Sequence, residues 1–434
     1  MARVLIVAAL LSTAAVAQQQ PLTLDEAVKL ALQRNSDLQR QILLSLSAEQ
    51  DRIIAQSAIL PHLDFNASIA GNRQGAGTVV ISGLPFSQPN SSYSTTSTGL
   101  NLHQLVFDGG KWWNSISAAN LGLAASEAQV DEQRLQVTYL VEQRFYELVR
   151  AQRQLQVFAE AATRSRDQAN YTQRLFEGGR ATQADVYAAR ANRDNDEVTR
   201  LGQERNVELA RADLSAAIGL DPGTPLTVTE PPNMLAPPVQ PPALQQALDR
   251  ALINRPSLKA FALTAESNRK TALAAKGDYW PTLSANGSWQ RGTRDDISKN
   301  FEAPGRNSRS AVSLDLSWNI FSGLSTQANV RKAEIQVALA ENDLASGRRG
   351  VASDVEKAVA QLATARAQAR VAQQAEQTAK EGLRLARTRQ EVGVGTQLEV
   401  RDAELKLTQA QLNVVGSLVD GREAEAALRR AQGG

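Results

Sequence analysis

Few residues in this chain are of types that do chemistry. The 434 residues include 0 Cys and 2 His, which removes thiol catalysis, disulfide scaffolding and Cys-based zinc sites together. His62 and His103 fall in candidate strands far apart in sequence, and neither has neighbours at a ligand or triad spacing. The expectation for each is a polar pore-facing or loop-side residue. No G-x-S-x-G, P-loop, H-E-x-x-H or C-x-x-C pattern occurs. Gly393-Val394-Gly395 opens like a dinucleotide loop, but Leu398 stands where the third Gly belongs and no strand pattern precedes it. The chain therefore reads as no enzyme, with no catalytic residue, cofactor or metal. Lys and Arg total 47 against 45 Asp and Glu, so no global field attracts nucleic acid and none is expected as a partner.

Function must then come from the elements themselves. Arg3 precedes an apolar run from Val4 to Ala15 that closes in Ala15-Val16-Ala17-Gln18. This is the pattern of a secretory signal peptide over residues 1–17, cut between Ala17 and Gln18. No later stretch holds some eighteen consecutive apolar residues, so no transmembrane helix is expected. A membrane protein of this sequence would have to cross as a closed β-barrel, where every backbone polar group finds a partner.

The remainder is written twice. Leu24-Asp25-Glu26-Ala27 with Arg34-Asn35-Ser36-Asp37-Leu38 recurs as Leu244-Gln245-Gln246-Ala247 with Asn254-Arg255-Pro256-Ser257-Leu258. Leu60-Pro61 is echoed by Trp280-Pro281, Phe107-Asp108-Gly109 by Phe321-Ser322-Gly323, and Gly179-Arg180-Ala181-Thr182 by Gly393-Val394-Gly395-Thr396. Five ordered matches mark a tandem duplication over 18–220 and 243–434. Between the copies, residues 221–242 are dense in proline, from Pro222 and Pro225 to Pro241 and Pro242. Proline fixes φ and lacks a donor, so this reads as an extended linker strapped along the outside.

Within each copy the period shifts from helix to strand and back. Alternation predicts strands at about 61–71, 97–107, 281–290 and 310–321, each near the length a tilted barrel strand needs. The second alternates poorly near Gln104. Trp112, Trp113, Tyr279, Trp280 and Trp318 gather near the strand ends, where an aromatic girdle would sit. The connections 71–96 and 291–310 read as long polar loops. Lys111 to about Glu177 and Ser325 to about Glu391 read as helices of ~100 Å at 1.5 Å per residue. Ala333, Val337, Ala340 and Leu344 carry a coiled-coil seam. Shorter helices return after Gly178-Gly179 and after Gly393 with Gly395, which mark hairpin tips.

This ordered duplication resembles the TolC family of outer-membrane channel proteins. It is carried by the paired openings at Leu24 and Leu244, the strand-starting Pro61 and Pro281, the motif Phe107-Asp108-Gly109-Gly110, and the tips at Gly179 and Gly393. The resemblance implies a mixed α and β membrane protein. Four strands per protomer would join a shared 12-stranded barrel in a homotrimer, with a long α-helical barrel crossing the periplasm. It also implies a passive exit duct of a tripartite efflux or type I secretion system in the outer membrane. The partners would be outer-membrane lipid, a periplasmic adaptor, and an inner-membrane pump of RND, ABC or MFS type. Acidic residues just after the second tip match Glu399 and Asp402, and Asp185 is the counterpart in the first copy, so these are the candidate periplasmic gate. Gly178, Gly179, Arg180, Thr182, Gly393, Gly395, Thr396 and Gln397 are the candidate docking residues, with Gln183 beside them. In the best-known family member a Tyr and an Arg near this tip help latch the closed state; the matching positions here are Gln390 and Gly395, which cannot do that job in the same way. The rival reading is a secreted coiled-coil structural or adhesive protein, which explains the rods but not the repeated strand pairs.

Overall fold

The computed structural model describes residues 21–221, 223–296 and 305–434. The expected signal segment 1–17, with its cut at Ala17 and Gln18, lies outside the described residues, as does Pro222. The chain forms two compact units, one built from residues up to Leu43, Ala128–Leu258 and Gly347–Gly434, the other from Leu44–Glu127 and Lys259–Ser346.

The first unit is helical. Helix α1 (Leu24–Arg34) starts at a capping box in which Thr23 and Glu26 satisfy each other's amides, and α2 (Ser36–Ser57) follows after Asn35. The long α3 (Lys111–Glu177) and its return helix α4 (Gln183–Ile218) complete the first copy. The second holds α5 (Leu244–Asn254), α6 (Pro256–Lys276), α7 (Ser325–Glu391) and α8 (Gln397–Gln432). Ala27 and Ala31 of α1, Phe145, Leu148 and Val149 of α3, and Leu214 and Ile218 of α4 form one core. Ala247 and Ala251 of α5, Val355 and Leu362 of α7, and Leu428 of α8 form another. The copies share a specific joint. Gly219 (φ +82°) and Gly433 (φ +96°) end α4 and α8 in the left-handed region, and a Cβ on either would lie 2.8 Å from the main-chain oxygen of Arg34 or Asn254.

The linker is tied down by donors that its prolines cannot supply. Arg153 makes a two-pronged contact with Glu230 at 2.8 and 2.7 Å. Arg422 donates to the Ala236 carbonyl at 2.9 Å and also to that of Asn233, and Arg366 donates to the Pro238 carbonyl at 3.0 Å. The Val239 amide donates to Glu425 at 2.8 Å. Gly421 lets the strap lie flat, since a Cβ there would come within 2.2 Å of Pro238.

The second unit carries the sheet. Strands β1 (His62–Gln74), β4 (Ser91–Phe107), β5 (Thr282–Asp296) and β6 (Gly305–Ser317) pair antiparallel in the order β1-β4-β5-β6. Several bounds differ from those read off alternation. β4 begins at Ser91 rather than near 97, in a stretch of Ser and Thr where the single aromatic Tyr93 sets no period. The connection 71–96 is not simply a loop, since β2 (Gly77–Ile81) and β3 (Leu84–Gln88) form a hairpin. Its two-residue turn, Ser82 (φ 52°) and Gly83 (φ 84°), has the positive φ that matches strand twist. β6 stops at Ser317 rather than near 321, and the Trp318 indole instead donates to the Tyr279 carbonyl at 3.1 Å. Poor alternation near Gln104 has a cause: a bulge lies between Leu105 and Phe107, and the Gln104 amide donates to the Ile59 carbonyl. At the β4–α3 junction Asp108 accepts from the Trp112 amide at 2.8 Å, while Gly109 (φ +71°) would press a Cβ to 2.6 Å from the Gly277 carbonyl.

Candidate functional site

In the first unit, each copy ends its long helix at a tight reversal. At the first tip the Arg180 amide donates to the Leu175 carbonyl at 2.7 Å and the Gly179 amide to Phe176 at 2.9 Å, with Gly179 at φ +70°. This is a helix stop that glycine makes without strain. Thr182 then caps α4, and Asp185 closes the box by accepting from the Thr182 hydroxyl at 2.7 Å and its amide at 2.9 Å. Those two bonds hold the Asp185 carboxyl below its ordinary range. Asp185 is thus committed to its own helix start.

The second tip is built similarly with a different acid. The Val394 and Gly395 amides both donate to the Arg389 carbonyl, at 3.0 and 2.9 Å. Thr396 caps α8, accepting from the Glu399 amide at 3.2 Å, but the Glu399 carboxylate turns to Arg389 at 3.5 Å. Asp402 pairs with Lys406 at 2.6 Å. Glu399 and Asp402 border one open groove of about 1110 Å³ between α7 and α8, floored by Ala379, Gly382 and Ala403. Gln397 reaches the Asp185 carbonyl at 3.5 Å. At Gly395 a Cβ would lie 2.8 Å from the Gln390 amide nitrogen, so the backbone leaves no space for a side chain there. Exposed Val392, Val394 and Leu398 also crowd this tip.

Behind the tips lies a charged cluster that sequence reasoning missed. Arg401 of α8 grips Asp196 of α4 with two bonds of 2.7 and 2.9 Å, both side chains under a fifth exposed. Arg387 binds the buried Glu404 at 2.9 Å, and Arg164 of α3 donates to Thr408 of α8 at 2.9 Å. Charges interspersed along a helix look like a solvated face, and nothing in their spacing tells which of them meet another helix.

In the second unit, the sheet register gathers most of the apolar strand residues on one face. One face carries Leu63, Phe65 and Ile69 of β1, Leu100 and Leu102 of β4, and Val312, Leu314 and Leu316 of β6, all exposed. The other face is polar and internally bonded. Asn101 donates to Asn66 at 3.0 Å, Ser68 and Ser97 lie 2.8 Å apart, and Asn286 donates to Asp315 at 2.5 Å. Trp113, Tyr279, Trp280 and Trp318 are exposed, and Trp112 meets Trp113 edge-on at 5.4 Å. No helix among the described residues is long and apolar enough to cross a membrane. No group of three or more His, Cys, Asp or Glu there could hold a metal ion.

The family model described as outer membrane efflux protein matches residues 27–220 and 247–434. Outer membrane protein TolC of Vibrio cholerae is 24% identical over 398 residues, 90% of this chain and 87% of that protein. Alkaline protease secretion protein AprF of Pseudomonas aeruginosa is 24% identical over 415 residues, 92% of this chain and 82% of that protein. A crystal structure of a membrane protein from Pseudomonas aeruginosa superposes with a TM-score of 0.79 at 21% identity, covering 95% of this chain and 90% of that one.

Proposed function

The chain belongs to the outer membrane efflux protein family, and from that premise we propose that it is the outer-membrane exit duct of a tripartite efflux or type I secretion system. It conducts substrates passively across the periplasm and outer membrane. Family membership favours this over a secreted coiled-coil fibre, and the family is one of channels rather than enzymes.

The observation that carries the reading is the sheet. Its four strands expose a band of apolar residues on one face, from Leu63, Leu100 and Leu102 to Val312, Leu314 and Leu316, and β1 and β6 stand at its edges. An apolar face in water and unpaired edges are both liabilities for a soluble protein. In a lipid bilayer they are what a barrel needs: the apolar face meets acyl chains and each edge pairs with the next copy. Four strands cannot close alone, since the smallest bacterial barrels have eight. Three copies would supply twelve. The exposed tryptophans and Tyr279 then form the interfacial girdle, and Gly178, Gly179, Arg180, Thr182, Gly393, Gly395, Thr396 and Gln397 present the tips to a periplasmic adaptor serving an inner-membrane pump. The strand-bearing region crosses the outer membrane and the helical region extends into the periplasm. The test is the native mass of detergent-extracted protein from the outer-membrane fraction. A trimer supports the shared barrel; a soluble monomer or dimer overturns it.

Under three-fold symmetry Glu399 and Asp402 form two acidic rings, offset in part by the neighbouring Arg389 and Lys406, whose repulsion is relieved by cations. Replacing both with Ala should reduce cation preference, read as a smaller reversal potential in a salt gradient across a planar bilayer. Asp185→Ala should leave selectivity close to wild type and instead weaken the start of α4, at a typical cap cost of about 1 kcal/mol. Unchanged selectivity in the double variant would remove Glu399 and Asp402 from the gate.

A further inference from the structure

The polar sheet face brings together the only two histidines in the chain. His62 of β1 sits directly opposite His103 of β4 in the antiparallel register. Directly opposed residues share a face with Cβ atoms about 4.5–5.5 Å apart, close enough for two imidazoles to meet one ion.

One of the two is also poised electronically. His103 Nδ1 lies 2.6 Å from Asn286 Oδ1, Asn286 Nδ2 donates to Asp315 Oδ2 at 2.5 Å, and the Ser313 hydroxyl donates to the same oxygen at 2.7 Å. An ionised carboxylate only accepts, so Asp315 fixes which end of the Asn286 amide points at it. The other end, the oxygen, must then accept from His103. That puts the His103 proton on Nδ1 and leaves the Nε2 lone pair outward, the arrangement in which protein imidazoles bind metals. His62 makes no hydrogen bond among the described residues, so its ring is not committed elsewhere.

We propose that His62 and His103 form a two-imidazole site for a borderline divalent transition-metal ion, copper above all, with Asn286 and Asp315 as positioning residues. Imidazole donors suit Cu²⁺, Ni²⁺ and Zn²⁺, and affinity among them peaks at Cu²⁺. Only two protein ligands are present, so water fills the other positions and the ion exchanges freely. That suits a transit site more than a structural one. Its placement in the channel lumen rests on the barrel reading above; the site itself does not.

The test titrates detergent-solubilised full-length protein with Cu²⁺ alone, in a buffer containing glycine to suppress weak sites. Binding is followed calorimetrically and by electron paramagnetic resonance. Expected are one saturable ion per protomer with nitrogen couplings from imidazole. His62→Gln or His103→Gln should lower affinity at least ten-fold, and Asn286→Leu about ten-fold, the effect of losing a ligand's outer partner. Bilayer currents on the same samples report the channel separately. A protein that conducts normally but binds no Cu²⁺ through these histidines overturns the site and leaves the barrel standing. Histidine-dependent binding in a protein that neither trimerises nor conducts supports the site and removes the barrel. Affinity unchanged in both histidine variants overturns the proposal outright.

Discussion

Leu316→Arg should abolish recovery of assembled trimer from the outer membrane. Leu316 is 69% exposed on β6, directly opposite Leu283 of β5 and on the same face as Val312 and Leu314. In the proposed barrel that face meets acyl chains, where an arginine costs about 2–4 kcal/mol near the bilayer midplane and less toward the interfaces. Leu316 lies two residues from the girdle residue Trp318, so the cost per copy falls in the lower part of that range, and three-fold symmetry imposes it three times in each assembly. The control is Ser288→Arg. Ser288 pairs with Asn101 and Ala311 on the opposite, polar face, so a lumen-facing arginine there should assemble and alter only conductance. Heat-resistant trimer on a semi-native gel separates the cases. Normal trimer from Leu316→Arg together with loss from Ser288→Arg would invert the assigned faces.

The second large effect is expected at Arg401. Its two bonds to Asp196 tie α8 to α4, the return helices of the two copies, and both side chains are largely buried. Removing one partner of such a pair strands the other charge away from water, which costs about 3–5 kcal/mol when burial is complete and less here. Arg401→Ala should therefore lower thermal stability and loosen the hairpins, raising bilayer conductance or open probability. Arg401→Ala combined with Asp196→Ala should be more stable than Arg401→Ala alone, because no uncompensated carboxylate remains. Conductance identical to wild type in both variants would show that this pair holds the fold without bearing on the gate.

Legibility followed the range of the interaction. The rods were visible because 67 residues of α3 and of α7 pass without a Gly or Pro cluster, and helix formation is a local property. The tips were visible for the same reason: Gly179 and Gly393 adopt positive φ, followed by the capping residues Thr182 and Thr396. Strand faces were legible wherever one face is apolar, as from Val312 to Leu316, because period two is written directly into the chain. The early start of β4 was not, because one aromatic, Tyr93, among the Ser and Thr of Ser91–Thr98 sets no period. The Ser82-Gly83 turn was present in the sequence, but its polar, Gly-rich surroundings read as loop.

What the sequence determined by itself was the long helices with their tips, the apolar stretches of the four main strands and the duplication, all set by backbone preferences and side-chain periodicity within a few turns or residues. Only the tertiary structure decided which distant side chains meet. It set Arg401 against Asp196 and Arg422 against the proline strap, and it placed His62 opposite His103 in the strand register. Each of these contacts depends on the register between strands or the azimuth between helices. A shift of one residue along a strand turns its side chains to the other face, and a contact between helices needs residues on their facing sides. No window along the chain contains that information, because it resides in the packing of segments far apart in sequence.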